Sequence, residues 1–225
     1  MSAARTPTHL RGQIGQGIYS LGDLRTYLAY YAQDRETGDL ALRWLSDALN
    51  PVDGHVAHRP DYAFDDLISL FVVRELRRLG VKPAAIREAE EYMRRTTGRE
   101  RPFVHHEVMT DGRHVWMSGD VPDQVEAASG PRGQQAPRQL IAAYLKNVQY
   151  TDDIATTWAP TEHVLVSPLV QFGEPVIHGT RVPTASVAAI AGEAGVEIAA
   201  SRLDIDPAAA RAALRFERDL AAIHS

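Results

Sequence analysis

Nine histidines in 225 residues raise metal chemistry first. His105 and His106 are adjacent, so on a strand they face opposite sides of a sheet. His55 and His58 stand three apart in a turn-like stretch with no cysteine or close carboxylate cluster beside them. Neither HExxH nor zinc-finger spacing occurs, so no metal site is expected. The paired carboxylates come next. Asp65 and Asp66 sit where a helix should start, and negative charge there suits the exposed N–H groups and the helix dipole better than acid–base work. Glu90 and Glu91 lie inside a charged helical run and read as solvated surface. The glycines of QFGEPVIHGTRVPT match neither GKS/GKT nor GxGxxG, and the early RGQIGQG has no strand before it. No catalytic residue and no enzyme activity is expected.

Composition points the same way. There are no cysteines, so disulfides and thiolate chemistry are out, and the reducing cytoplasm fits. The opening MSAARTPTHL has no apolar core of a secretory signal, and no run of 18 apolar residues occurs, so no membrane contact is expected. The net charge of −5 hides a gradient. Residues 1–101 carry 15 Lys+Arg against 14 Asp+Glu, while residues 102–225 carry 9 against 15. Arg74 to Arg101 contains nine basic and five acidic residues, which fits either a local phosphate-facing surface or a salt-bridged helix.

Several elements can be placed. Residues 1–17 read as a loose arm. Ser20 followed by Asp23 is a capping box that should open a helix through about Tyr31. Leu42, Leu45 and Leu49 share one face of a second helix over 40–49. Asp53-Gly54 between Val52 and Val56 suggests a short hairpin. A regular helix opens at Phe64 and stops at Gly80, and Pro83 starts another that ends near Gly98. Asp111-Gly112 marks a second hairpin. The stretch 127–138 reads as a linker, and 140–148 fits helix or strand equally. Extended sequence then runs from 164 to Pro183, followed by helices over 185–194 and from Pro207 to about Ile223.

Two resemblances follow from these residues. IYSLGDL (18–24), ALRWL (41–45), HRPDYAFDDL (58–67) and VVRELRRLGVKPAAIREAEEY (72–92) resemble the DNA-binding domain of MerR-family regulators. The resemblance implies a winged helix-turn-helix over 18–101. Arg43 would then lie on a recognition helix, able to read guanine O6/N7, with Trp44 partly packed. Arg59 and Tyr62 would hold phosphates, with Arg25 a further DNA contact. Between the first two helices, YYAQDRETGD departs from that family's tight turn by being longer and more polar.

Residues 164–220 resemble the DUF433 family, with GEPVIHGTRVPT (173–184) matching its signature and DPAAARAALRFE (206–217) its final helix. Gly173, Pro175, Gly179, Thr180, Arg181 and Pro183 are therefore the partner-binding or structural positions. Gly173 and Gly179 allow tight reversals. Arg181 would either pair internally, the favoured reading, or bind a partner. The stretch ASRLDID departs from the usual run between that family's helices.

The whole chain resembles the longer VapB-type antitoxins, in which a MerR-like domain precedes a DUF433-type one. The expected fold is mainly α with small β hairpins, divided as arm 1–17, winged helix 18–101, hairpin and connecting segment 102–158, and DUF433-type domain 159–225. The expected function is an antitoxin that neutralises a PIN-type ribonuclease toxin and represses its own operon as a homodimer on operator DNA. Any Mg2+ would belong to the toxin. The alternative is a stand-alone MerR-like regulator whose rear domain dimerises or senses a ligand.

Overall fold

The computed structural model describes residues 19–34, 62–99, 101–104, 108–118, 125–127, 145, 147–151 and 154–224. These residues form a mainly helical protein with two small antiparallel sheets. The expected recognition helix over 40–49 and the Asp53-Gly54 hairpin lie outside the described residues.

Helix α1 (Leu21–Ala32) starts where the capping box predicts. The Ser20 hydroxyl accepts from the Asp23 N–H at 3.1 Å, and the Asp23 carboxylate accepts from the Ser20 N–H at 2.8 Å. Gln33, left-handed at φ 55°, ends the helix. Helix α2 (Phe64–Arg78) and helix α3 (Pro83–Thr97) follow, joined by a turn through Gly80 at φ 97°. The Asp66 carboxylate accepts from the Ala63 N–H at 2.8 Å, the capping role expected of it. Pro83 opens α3 where its missing N–H costs nothing, and Gly98 closes it at φ 67°.

After a 3-10 turn at Pro102–Val104, strands β1 (Val108–Thr110) and β2 (Val115–Ser118) form the predicted Asp111-Gly112 hairpin, and β3 (Val125–Ala127) joins β2. The second sheet orders β4 (Val148–Thr151), β5 (Ile154–Thr161), β6 (Val164–Val166) and β7 (Val176–Ile177). Helices α4 (Thr184–Ala194), α5 (Val196–Leu203) and α6 (Pro207–His224) complete the chain.

Three readings need correction. The stretch between 194 and 207 is not bare connection: Gly195, at φ 96°, separates α4 from α5, which buries Ala199 and Ala200. At eight residues α5 is too short to carry a periodic signal. Within the segment taken as connecting, the eight-residue strand β5 begins, and its Ala and Pro residues, both depleted in strands, weaken the β signal of its Ile, Thr and Trp. Glu90 is 5% exposed and not solvated, because Arg94 reaches its carboxylate at 3.2 Å and allows it to turn inward.

The main core is continuous from front to rear. Tyr31 stacks on Phe71 with centroids 4.0 Å apart, Trp158 of β5 meets Phe71 edge-on at 5.0 Å, and Phe216 of α6 meets Tyr30 at 5.0 Å. Aromatic pairs of this kind favour offset or edge geometry and bury large apolar area. The core thus draws residues from either side of the positions 101/102 and 158/159. A second cluster, made of Ile177, Val187, Ala200, Ala209, Ala210 and Ala213, holds the rear helices together.

Candidate nucleic-acid interface

The α2–α3 corner and the β1–β2 hairpin tip are built against each other. Thr110 accepts from the Gly112 N–H at 3.0 Å and donates to the His114 carbonyl at 2.6 Å, tying the turn across its base. Asp111 accepts from the Arg113 and His114 N–H groups, each at 2.7 Å. Burial raises the Asp111 carboxyl, but those hydrogen bonds outweigh it and hold the group below its ordinary range. Gly112, at φ 85°, sits so close to the corner that a Cβ there would lie 2.9 Å from the Leu79 carbonyl oxygen. A Cβ on Gly80 would meet the Gly112 carbonyl at 3.3 Å. Glycine is needed at both places because two backbones touch and both φ values are positive.

This approach sets the hairpin tip that carries Arg113 against the corner that carries Arg77, Arg78 and Lys82, and all four are exposed. Arg77 donates to the Val81 carbonyl at 2.8 Å, which steadies its stem, and Arg78 donates to Glu75 at 2.7 Å while its side chain stays 48% exposed. Glu75 near the corner and Asp66 at the far end of α2 are turned inward, while Asp111 at the hairpin tip stays exposed. Glu75 is 1% exposed and paired with Arg74 and Arg78; Asp66 is 2% exposed and paired with Arg101. Buried carboxylates of the front region are therefore neutralised by arginines that reach the surface, and the corner keeps Arg77 and Lys82 exposed beside the Arg78–Glu75 pair. Four cations on a helix corner and an adjoining hairpin can follow a phosphate backbone.

The residues expected to touch DNA fall differently. Arg43 and Arg59 lie outside the described residues. Arg25 is exposed on α1. Tyr62 pairs its backbone with Tyr19, in hydrogen bonds of 2.8 and 2.7 Å, and packs half-buried against the core. Sequence reading named none of Arg77, Arg78, Lys82 and Arg113 as a DNA contact, although the first three lay within the noted basic run.

The 173–184 signature is a scaffold. The Thr180 N–H donates to the Ile177 carbonyl at 3.0 Å, closing a turn whose third residue, Gly179, is at φ 79°, as a type II turn requires. The chain then doubles back: Ile177 N–H donates to Val182 at 2.9 Å, and Thr184 N–H to Pro175 at 2.9 Å, which seats Pro183 at the start of α4. The Tyr19 hydroxyl donates to the Gly173 carbonyl at 3.0 Å, tying the signature to the front of the chain. Arg181 is exposed and no described residue pairs with its guanidinium, so the favoured internal ion pair is not formed among them. Its backbone carbonyl accepts from Gln171 at 2.9 Å. Phe172 stands beside this segment, 80% exposed.

No family model matches the chain, and no curated protein matches it. Its structure is similar to the crystal structure of Rv2018 from Mycobacterium tuberculosis, with a TM-score of 0.57 and 18% identity. The match covers 88% of this chain and 98% of that one, so the two share a fold over nearly their whole lengths. Among the described residues no helix is long and apolar enough to cross a membrane, and no three His, Cys, Asp or Glu residues are grouped to hold a metal.

Proposed function

We propose that this protein is a cytoplasmic antitoxin that binds a PIN-type ribonuclease toxin and represses its own operon on operator DNA. The observation that carries the DNA half is the exposed set of Arg77, Arg78, Lys82 and Arg113 on the α2–α3 corner and the hairpin tip packed against it, in a chain whose net charge is −5. An anionic protein needs only a local cationic face to bind phosphates. On this reading a MerR-like winged helix-turn-helix docks Arg43 in the major groove, while Arg59 and the corner cations hold the backbone. Two copies related by a two-fold axis would engage a palindromic site.

The rear half supports the toxin-binding part of the reading. It carries the acidic excess and presents Arg181 and Phe172 outward from a turn held by backbone hydrogen bonds. A rigid turn of this kind can offer side chains to a partner at little entropic cost. Mg2+ then belongs to the toxin.

Co-expression with the genomic neighbours, followed by purification, tests this. The expected result is a stoichiometric complex with a small nuclease that is silent until this chain is removed. Recovery of a homodimer alone, still binding its own promoter, would leave a regulator without a toxin and overturn the antitoxin reading.

A further inference from the structure

The hairpin tip and the helical corner are each closed by hydrogen bonds of their own. At the tip, Thr110 and Asp111 hold the backbone from Gly112 to His114, so Gly112 and Arg113 belong to one stiff turn. At the corner, the Gly80 N–H donates to the Arg77 carbonyl at 3.0 Å, and the Val81 N–H donates to the Leu76 carbonyl at 3.0 Å. The Arg77 guanidinium donates to the Val81 carbonyl at 2.8 Å, and Lys82 follows directly as the residue that precedes α3. Each turn thus carries its cations on a fixed backbone.

The base of the hairpin is anchored by Val108 and Val115, buried in the same core as Val81 and Ile86. The tip lies beyond both valines and rests on the corner through backbone alone. A Cβ at position 112 would come within 2.9 Å of the Leu79 carbonyl oxygen, and one at position 80 within 3.3 Å of the Gly112 carbonyl oxygen. A main-chain carbonyl cannot swing aside as the end of a long side chain can. A methyl group at 112 therefore moves one turn away from the other, and Arg113 moves with it.

We propose that Gly112 and Gly80 are positioning residues for DNA binding: their contact sets Arg113 where it meets the same phosphate backbone as Arg77 and Lys82. This role rests on the reading that the corner holds DNA. Duplex phosphates are fixed in space, so cations placed beforehand bind them without the cost of ordering two independent segments. Neither glycine touches the DNA; both act through Arg113.

Fluorescence anisotropy with the protein's own upstream duplex, run across a salt series as a double-mutant cycle, tests it. In the parent, Arg113→Ala and Lys82→Ala should each weaken binding about five- to tenfold at low salt and lower the salt slope by about one unit. Gly112→Ala should lose as much as Arg113→Ala does. Adding Arg113→Ala to it should then cost under about twofold, while adding Lys82→Ala should still cost its full factor. A merely destabilised fold lowers every affinity by one common factor and leaves the Arg113 cost unchanged. Gly80→Ala, with the milder contact, should show the same pattern more weakly, and it carries the cycle where Gly112→Ala does not fold. An unchanged Arg113 cost in the glycine variants would overturn the proposal, as would loss of the Lys82 contribution together with that of Arg113. Parent binding weakened by Lys82→Ala but not by Arg113→Ala would overturn it and leave the corner as a DNA site. Parent binding weakened by neither would overturn the DNA reading and this role with it.

Discussion

The front helical pair and the rear three-helix module solve the same packing problem with different chemistry. Around α2 and α3, three carboxylates are almost fully buried, Asp66, Glu75 and Glu90, each held by an arginine. Around α4, α5 and α6 the interior is small and apolar, with Ala200, Ala209, Ala210 and Ala213 letting the helices approach closely. A buried ion pair contributes little net stability over a well-packed apolar pair, but removing one partner strands a charge. A small-residue interface has the opposite weakness: it tolerates no added volume. The front is fragile to lost charge and the rear to gained bulk.

That contrast can be tested by breaking each side in its own way. Arg101→Met should cost the most, about 3–5 kcal/mol in urea unfolding, because it leaves Asp66 buried without its cation. A loss under 1 kcal/mol would mean that water or another group already serves Asp66. In the rear, Ala210→Leu should cost about 1–3 kcal/mol through overpacking, whereas a neutral result would show slack between α5 and α6 that the buried alanine does not suggest. Arg43→Ala, at a position outside the described residues, should leave stability unchanged. It should lower operator affinity by about 1–3 kcal/mol at fixed salt while barely affecting scrambled DNA. Equal losses on both DNAs would move Arg43 from base reading to phosphate binding.

The smallest effect concerns Asp65. Burial first, then the Asp66 charge, raise its carboxyl from 3.8 to about 7, although Arg101 pulls the other way. One of its oxygens is buried without a hydrogen bond. The folded protein therefore holds a proton between about pH 4 and 7 that the unfolded chain has lost, so stability falls as pH rises through that window. Asp65→Asn should flatten this part of the pH profile and gain about 1 kcal/mol at pH 8, after allowance for partial exposure. A profile identical to the parent's would place that slope on another group.

Local signals in the sequence marked helix ends well because caps and breakers act within a few residues. Ser20 with Asp23, Pro83, Gly98 and the Asp111-Gly112 turn all fall where expected. Glu90 shares the helical stripe of Ile86, Ala89 and Met93 and Glu91 does not, so the periodicity separates them; what stayed hidden was that Arg94 offsets the charge on that buried face. What else the sequence hid depended on distant partners, as in the candidate interface. Arg113 and Lys82 are 31 positions apart, and the turns that carry them come together because Gly80 and Gly112 let two backbones touch. The 173–184 signature was visible as a string, but its work as a turn that seats α4 appears only with its backbone hydrogen bonds.

The central claim is that the α2–α3 corner and its hairpin hold DNA. Fluorescence anisotropy of the protein's own upstream DNA, across a salt series, tests it most directly with the parent protein and the double variant Lys82→Ala/Arg113→Ala. The account predicts weaker binding to every DNA sequence and a salt slope reduced by about two units, one for each phosphate that the variant no longer neutralises. An unchanged slope with unchanged affinity would contradict it.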